Sequence, residues 1–327
     1  MTGKNMSSTD ASNLIDTQPR PATAGDYVQL MKPRIMMLVV FTALAGLVAA
    51  QSVSGVSINP VMAAIATLAV ALGSGAAGAI NMWYDADIDA VMKRTSTRPI
   101  PSGAVPRDEA LAMGLIMSGV SVLLMWLASN ALAAGLLALS IAYYGWFYTM
   151  LLKRRTPQNI VVGGAAGAFP PVIGWAAVTG TAPLDAWLLF AIIFFWTPPH
   201  FWALSLLAHK EYKKAGVPML PVTHGAAATR NQILAYTIFL APLGVLPVLT
   251  GLGGIVYGTV AALLGAIFLA LAFQVWRSEA GDEGASSASL KRAKGLFGFS
   301  ILYLFILFAA LIAEHGFGAY VAIPGVA

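Results

Sequence analysis

Residues 78–103 read Gly-Ala-Ile-Asn-Met-Trp-Tyr-Asp-Ala-Asp-Ile-Asp-Ala-Val-Met-Lys-Arg-Thr-Ser-Thr-Arg-Pro-Ile-Pro-Ser-Gly: an apolar run that ends in acids and then in bases. Asn81, Asp85 and Asp89 recur every fourth residue, so on a helix they drift only about 40° per step and share one face. Asp87 lies about 200° around from Asp85 and points away. Carboxylates stacked in this way repel unless a cation sits among them, and hard oxygen donors suit Mg²⁺. That ion is usually held by one or two carboxylates together with substrate phosphates. Lys93, Arg94, Arg98 and Arg107 follow at once, the donor types that diphosphate oxygens require. A solvated helix end would also mix acids and bases, but a three-member ladder followed by a basic loop favours chemistry.

The surroundings of this stretch are oily. Of 327 residues, 58% are hydrophobic and only 10% charged, with a mean hydropathy of +0.76. Soluble domains carry about 25% charged residues, so the composition is that of a chain dissolved in lipid. There is no cysteine, which excludes disulfides and thiolate metal sites.

Apolar runs near the roughly 20 residues that span a bilayer fall at 35–52, 60–83, 109–129, 132–151, 159–179, 184–207, 231–250, 254–276 and 296–313. The expected fold is all-α, nine transmembrane helices in one bundle. All 19 Lys and Arg residues lie before span 1 or in alternate loops: Lys32 and Arg34, the 93–107 loop, Lys153 to Arg155, Lys210 to Arg230, and Arg277 to Lys294. The positive-inside rule then predicts a cytoplasmic N-terminus and a periplasmic C-terminus. Residues 1–30 are expected to be a disordered cytoplasmic tail, 31–315 the catalytic bundle and 316–327 a short periplasmic tail. The net charge of +5 is accounted for by this placement and does not call for nucleic acid. No acid or base sits near the middle of a span, which argues against a carrier or proton pump.

A second dense patch runs from Phe194 to Trp202, then from His209 to Pro221. Pro198 and Pro199 are expected to break span 6 inside the membrane, freeing carbonyls that need partners. His200 follows the break, either satisfying that backbone or serving a pocket bordered by Phe201 and Trp202. Tyr143, Tyr144, Trp146, Phe147 and Tyr148 crowd the inner half of span 4. An interfacial aromatic belt accounts for most of them, with Tyr148 and Lys153 as candidates to reach the aspartates. Residues 278–289 read as a flexible polar linker, and Lys294, Phe297 and Ser300 follow it without a pattern that assigns them chemistry.

These residues together carry a family signature. Asn81-x-x-x-Asp85-x-x-x-Asp89 on the second of nine spans, Tyr148 and Lys153 at a helix end, and a polar loop after span 6 resemble the UbiA-type intramembrane prenyltransferases. Asn-Met-Trp-Tyr-Asp (81–85), Arg98-Pro-Ile-Pro-Ser-Gly, Thr-Pro-Pro-His-Phe-Trp (197–202) and Ala-Gly-Val-Pro-Met-Leu-Pro-Val (215–222) are similar to the protohaem IX farnesyltransferase (haem O synthase) branch, over roughly residues 26–313. The resemblance implies an enzyme of the bacterial inner membrane, its active site facing the cytoplasm, that farnesylates a vinyl group of haem B. Farnesyl diphosphate and haem B would be its substrates and Mg²⁺ its cofactor. Partners would be the bilayer and an assembly with haem A synthase or a terminal oxidase, and no nucleic acid. Asn81, Asp85 and Asp89 would hold Mg²⁺, with Glu211 standing where many superfamily members carry a second aspartate ladder. Lys93, Arg94, Arg98 and Lys153 would grip the diphosphate, Tyr148 would join the catalytic set, and His200 would bind haem. A quinone-precursor or chlorophyll-like acceptor remains an alternative. So does a non-catalytic haem chaperone using His200, His209 or His224, though a chaperone has no use for the aspartate ladder.

Overall fold

A computed structural model describes residues 21–324, and every described element is helical. Among the described residues, nine helices are long and apolar enough to cross a membrane: 33–54, 60–84, 107–128, 131–152, 159–179, 184–207, 225–249, 255–276 and 287–316. The helices are α1 (Ala24–Leu30), α2 (Pro33–Ser54), α3 (Pro60–Tyr84), α4 (Ala86–Val91), α5 (Arg107–Ala128) and α6 (Ala131–Ala142). Then come α7 (Asn159–Gly163), α8 (Ala165–Ala168), α9 (Pro170–Thr179), α10 (Leu184–Leu207), α11 (His209–Lys214) and α12 (Leu220–Thr223). The last three are α13 (Gly225–Leu249), α14 (Ile255–Trp276) and α15 (Ser287–Gly316). Between α6 and α7 the helix continues as a π-helix, Tyr143–Leu152.

Large apolar side chains such as Ile116, Leu127, Phe239 and Leu263 stay exposed on the outside of the bundle, a surface suited to acyl chains. Lipid is as apolar as leucine, so association between such helices rests on close packing instead of on burial from water. The crossing of α2 and α9 shows how. A Cβ added at Gly46 would overlap the Pro171 carbonyl, and one added at Gly174 would overlap that of Ala43. The two backbones meet only because both positions lack a side chain.

Three expectations are corrected. The expected tail 1–30 lies outside the described residues up to 20, but residues 24–30 form α1, not disordered chain. Thr23 and Asp26 make a capping box at its start, and Leu30 is fully buried at its end. Pro198 and Pro199 do not break α10, which runs through them. The Thr197 hydroxyl bonds back to the Ile193 carbonyl while neighbouring helices enclose the segment, the setting in which membrane helices tolerate proline. The interruption comes instead in the fifth span, where α7, α8 and α9 are separate pieces. Pro170 and Pro171 open α9 there, at positions whose missing N–H costs nothing. The 278–289 linker is held in place: Arg230 donates to the Ala280 carbonyl (2.8 Å) and pairs with Asp282 (2.9 Å). Ala280 is fully buried.

Gly174→Ala should lower the melting temperature of the purified protein in detergent, because overpacking a close crossing costs about 1–3 kcal/mol. Gly167→Ala, where a Cβ would meet nothing within 4 Å, should leave it unchanged.

Candidate active site

Asn81, Asp85 and Asp89 are buried at 3, 0 and 2% exposure. α3 ends at Tyr84 with Asp85 as its cap and α4 begins at once. The Asp89 N–H still bonds to the Asp85 carbonyl (2.8 Å), so helical spacing survives the junction and the three side chains share one buried face.

Each member of the ladder is met by a cation from a different part of the chain. Asp85 Oδ2 accepts from Lys153 Nζ and from Asn81 Nδ2 (2.8 Å). Asp89 Oδ2 accepts from Arg98 Nη1 at 2.6 Å, and Asn81 Oδ1 accepts from Lys32 Nζ. Asp85 Oδ1 is buried without a hydrogen bond, and Arg154 Nη2 lies 3.6 Å from it. Arg154 itself forks onto Asp87 at 2.7 and 2.8 Å and lies 4.7 Å from the Tyr84 ring centroid. That hydrogen-bonded pair holds the Asp87 carboxyl below its ordinary range and raises the guanidinium. Asp87 thus faces away from the ladder and anchors an arginine beside it.

The π-helix supplies the geometry on the opposite wall. Its wider turn sends the Thr149 hydroxyl to the Tyr144 carbonyl (2.7 Å) and the Lys153 N–H to the Tyr148 carbonyl (2.9 Å). Thr149 Oγ1 therefore accepts from Asn81 Nδ2 (3.0 Å), and Lys153 reaches Asp85. Single π turns often mark functional positions. The Tyr148 ring stacks on Tyr144 (5.4 Å) and lies against Gly163, where a Cβ would overlap it.

The structure brings Lys32, Thr149 and Arg154 into this cluster although no sequence motif singled them out. Lys32 is the one described non-glycine residue with positive φ (54°), at the Lys-Pro step that opens α2. That strained turn aims its ammonium at Asn81, and strain of this kind concentrates at functional sites. Burial, reinforced by Arg98 and Lys153, lowers its pKa from 10.5 to about 7. Its only signal in the sequence was its place among the basic residues before span 1.

Other candidates fall elsewhere. Arg94 and Arg98 lie near Tyr212, offsetting the upward push that burial gives its hydroxyl. Lys93 is exposed, and Arg107 donates to the Trp83 carbonyl at 3.0 Å. Glu211 keeps one buried carboxylate oxygen without a partner. It does not join the aspartates: no group of three or more His, Asp or Glu spaced for a metal exists among the described residues. His200 belongs to another helix pair, its Nδ1 2.6 Å from Ser300 Oγ of α15. Trp196 and Phe297 stack on its two faces at 4.3 and 4.8 Å. Phe201 meets it edge-on, and Trp202 is buried against Tyr236. The flanking rings are thus Trp196 and Phe297 in place of Phe201 and Trp202.

Residues 39–301 match the model of the UbiA prenyltransferase family. This chain belongs to that family. The protoheme IX farnesyltransferase of Hyphomonas neptunium is 72% identical over 94% of this chain and 96% of its own length. That of Acidiphilium cryptum is 57% identical over 92% and 94%. The fold is also that of a UbiA homologue from Archaeoglobus fulgidus bound to DMAPP and Mg²⁺ (TM-score 0.63, 16% identity, 87% of this chain and 99% of that one). For a UbiA prenyltransferase the donor set fits Mg²⁺: two buried carboxylates, an amide oxygen and one carboxylate oxygen that no protein donor satisfies. Two carboxylates suffice when substrate phosphates complete the shell.

Lys32 gives the ligand-free protein a pH signature. Below pH 7 the folded and unfolded states both hold its proton, and the full cost of burying the ammonium is present. Between about 7 and 10.5 only the unfolded chain keeps that proton, so stability should rise with pH across the window. Thermal unfolding in detergent should show this rise in the wild type and a flatter profile in Lys32→Met.

Proposed function

We propose that this integral membrane prenyltransferase transfers the farnesyl group of farnesyl diphosphate to a vinyl group of haem B, releasing diphosphate and giving haem O. The observation that carries the reading is a buried carboxylate ladder ringed by cations from three separate loops, in a chain 72% identical to a protoheme IX farnesyltransferase. The first half, acids beside a cluster of cations, is what ionising a prenyl diphosphate requires. The second half supports haem as the acceptor.

The bond from farnesyl C1 to the diphosphate oxygen breaks, and both electrons leave with the diphosphate. The vinyl π electrons form the new bond to C1, and water captures the resulting cation with loss of a proton, leaving a hydroxyethylfarnesyl chain. Asp85 and Asp89, assisted by Asn81, would hold Mg²⁺, which supplies charge neutralisation at the leaving oxygens. Arg98 and Lys153, now paired with the ladder, would turn their donors to the diphosphate, joined by Arg94 and Lys93 from the loop above. Lys32 adds a donor fixed by its own backbone turn. Such preset donors act in a water-poor site where they stabilise developing charge strongly. The aromatic faces of Tyr144 and Tyr148 stand beside this cluster, where rings can stabilise a cation by roughly 0.5–2 kcal/mol. Glu211 is held back as an outer acid near Tyr212, and His200 is assigned to the haem.

The same reading sets the N-terminus and the active site on the cytoplasmic side of a bacterial inner membrane, because every basic residue lies before span 1, in alternate loops or in the helix ends that border them. A topology reporter fused after Ala327 should therefore read out as periplasmic, and a cytoplasmic signal would overturn the arrangement.

Diphosphate release from farnesyl diphosphate, assayed with and without haem B, tests the reaction. Release should depend on haem B, and Asp85→Asn or Asp89→Asn should slow it by about 10²-fold or more while the protein remains folded in the membrane. Release that needs a quinone precursor instead would redirect the acceptor, and binding of haem without any release would make the chain a carrier.

A further inference from the structure

His200 and Ser300 lie 100 residues apart in sequence and touch across the α10–α15 interface, and the contact determines more than packing. Ser300 Oγ is 2.6 Å from the Phe297 carbonyl oxygen and 2.6 Å from His200 Nδ1. Two oxygens that close must share a proton, and only the serine has one to give. The hydroxyl proton is therefore committed to Phe297, and Ser300 Oγ can meet Nδ1 only as an acceptor. Nδ1 must then carry the imidazole hydrogen, and Nε2 is left as a bare lone pair.

That lone pair has no hydrogen-bond partner among the described residues, and it is not among the buried polar atoms left unsatisfied; the His200 side chain is only partly buried. The ring cannot readily turn to hide it. Trp196 and Phe297 sandwich the imidazole at interplanar angles of 17° and 22°. The Trp196 indole N–H donates to the Ser300 main-chain carbonyl at 2.7 Å, so the same pair of helices is latched a second time. A neutral imidazole with one nitrogen hydrogen-bonded and the other bare is the form in which histidine ligates a metal, and the outer partner fixes which nitrogen is offered.

We propose that Ser300 is a positioning residue that holds His200 as its Nδ1–H tautomer, so that Nε2 is presented to the iron of the haem substrate. This rests on haem being the acceptor. It adds to that reading the atom that ligates and the residue that prepares it. The ligand class is a metalloporphyrin with an open axial position, and the metal-free porphyrin gains nothing from the arrangement.

Ser300→Ala removes only the hydroxyl. The Trp196 bond goes to the main chain and survives, and the Phe297 carbonyl keeps its helical partner. Haem B, zinc protoporphyrin and metal-free protoporphyrin IX can each be titrated into the purified wild type, Ser300→Ala and His200→Ala in detergent. In the wild type, haem B should give the Soret spectrum of a nitrogen-ligated iron. His200→Ala should lose that spectrum, and added imidazole should restore it. Ser300→Ala should weaken haem B and zinc protoporphyrin by about 10-fold or more, the scale found for outer partners of metal-ligating histidines. Its affinity for metal-free protoporphyrin IX and for farnesyl diphosphate should stay at the wild-type value.

The outcomes separate. A nitrogen-ligated spectrum unchanged in His200→Ala would sink the ligand assignment and, with it, this proposal. Loss of that spectrum in His200→Ala with wild-type behaviour in Ser300→Ala would sink the positioning role alone. Should Ser300→Ala not fold, the tautomer can be read directly in the wild type. The chain has four histidines, and ¹⁵N-histidine solid-state NMR in bilayers, with His200→Gln to assign the signal, distinguishes a protonated Nδ1 from a protonated Nε2. A proton on Nε2 overturns the proposal.

Discussion

Burying a carboxylate in a membrane bundle is the constraint on which this structure turns. Removing an ionised group from water costs several kcal/mol even after relaxation, and only close, well-oriented partners offset it. Asp85 is fully buried, and its compensation comes from Lys153 and the Asn81 amide. Asp89 depends in the same way on Arg98. The architecture around them reads as the means of delivering those partners. A strained turn before α2 brings Lys32, a compact loop after α4 brings Arg98, and a π-helix brings Lys153. Arg154 is parked beside them on Asp87.

An arrangement of this kind suits a site that must accept a highly charged ligand inside an oily protein. Under the proposed function, the cations that pair with buried acids in the ligand-free protein already stand, largely withdrawn from water, where a diphosphate would sit. Under the proposed chemistry they exchange one set of oxygens for another and need little reorganisation. The oxygen of Asp85 that accepts no protein hydrogen bond is the complementary feature, a buried acceptor suited to positive charge. Thr149 ties the two walls together, because its hydroxyl closes the π turn and also fixes the Asn81 amide.

The α10–α15 seam follows the same economy with neutral groups. Three polar groups at the helix contact are committed: the Trp196 indole to a carbonyl, the Ser300 hydroxyl to another, and His200 Nδ1 to the serine. Pro198 and Pro199 lie between Trp196 and His200 in the chain without interrupting the helix. The break in the chain lies in the fifth span, where Pro170 and Pro171 restart the helix beside the close crossing of α2 and α9.

Hydropathy, charge placement and a four-residue spacing were enough to establish the helical class, the nine spans and the shared face of Asn81, Asp85 and Asp89. These are local properties: a helix of given period places its side chains wherever the rest of the chain goes. The motifs at 81–85, 98–103, 197–202 and 215–222 likewise carried the family without any coordinates. The tertiary structure alone decided the pairings. No spacing announces that Lys32 meets Asn81, that Arg154 spends its fork on Asp87, or that Ser300 orients His200, because each joins segments separated by tens to a hundred residues. The unbroken course of α10 and the ordered 278–289 segment were decided there too. Whether a proline interrupts a helix or a polar linker settles down depends on which neighbours supply its missing partners, and only packing determines those neighbours.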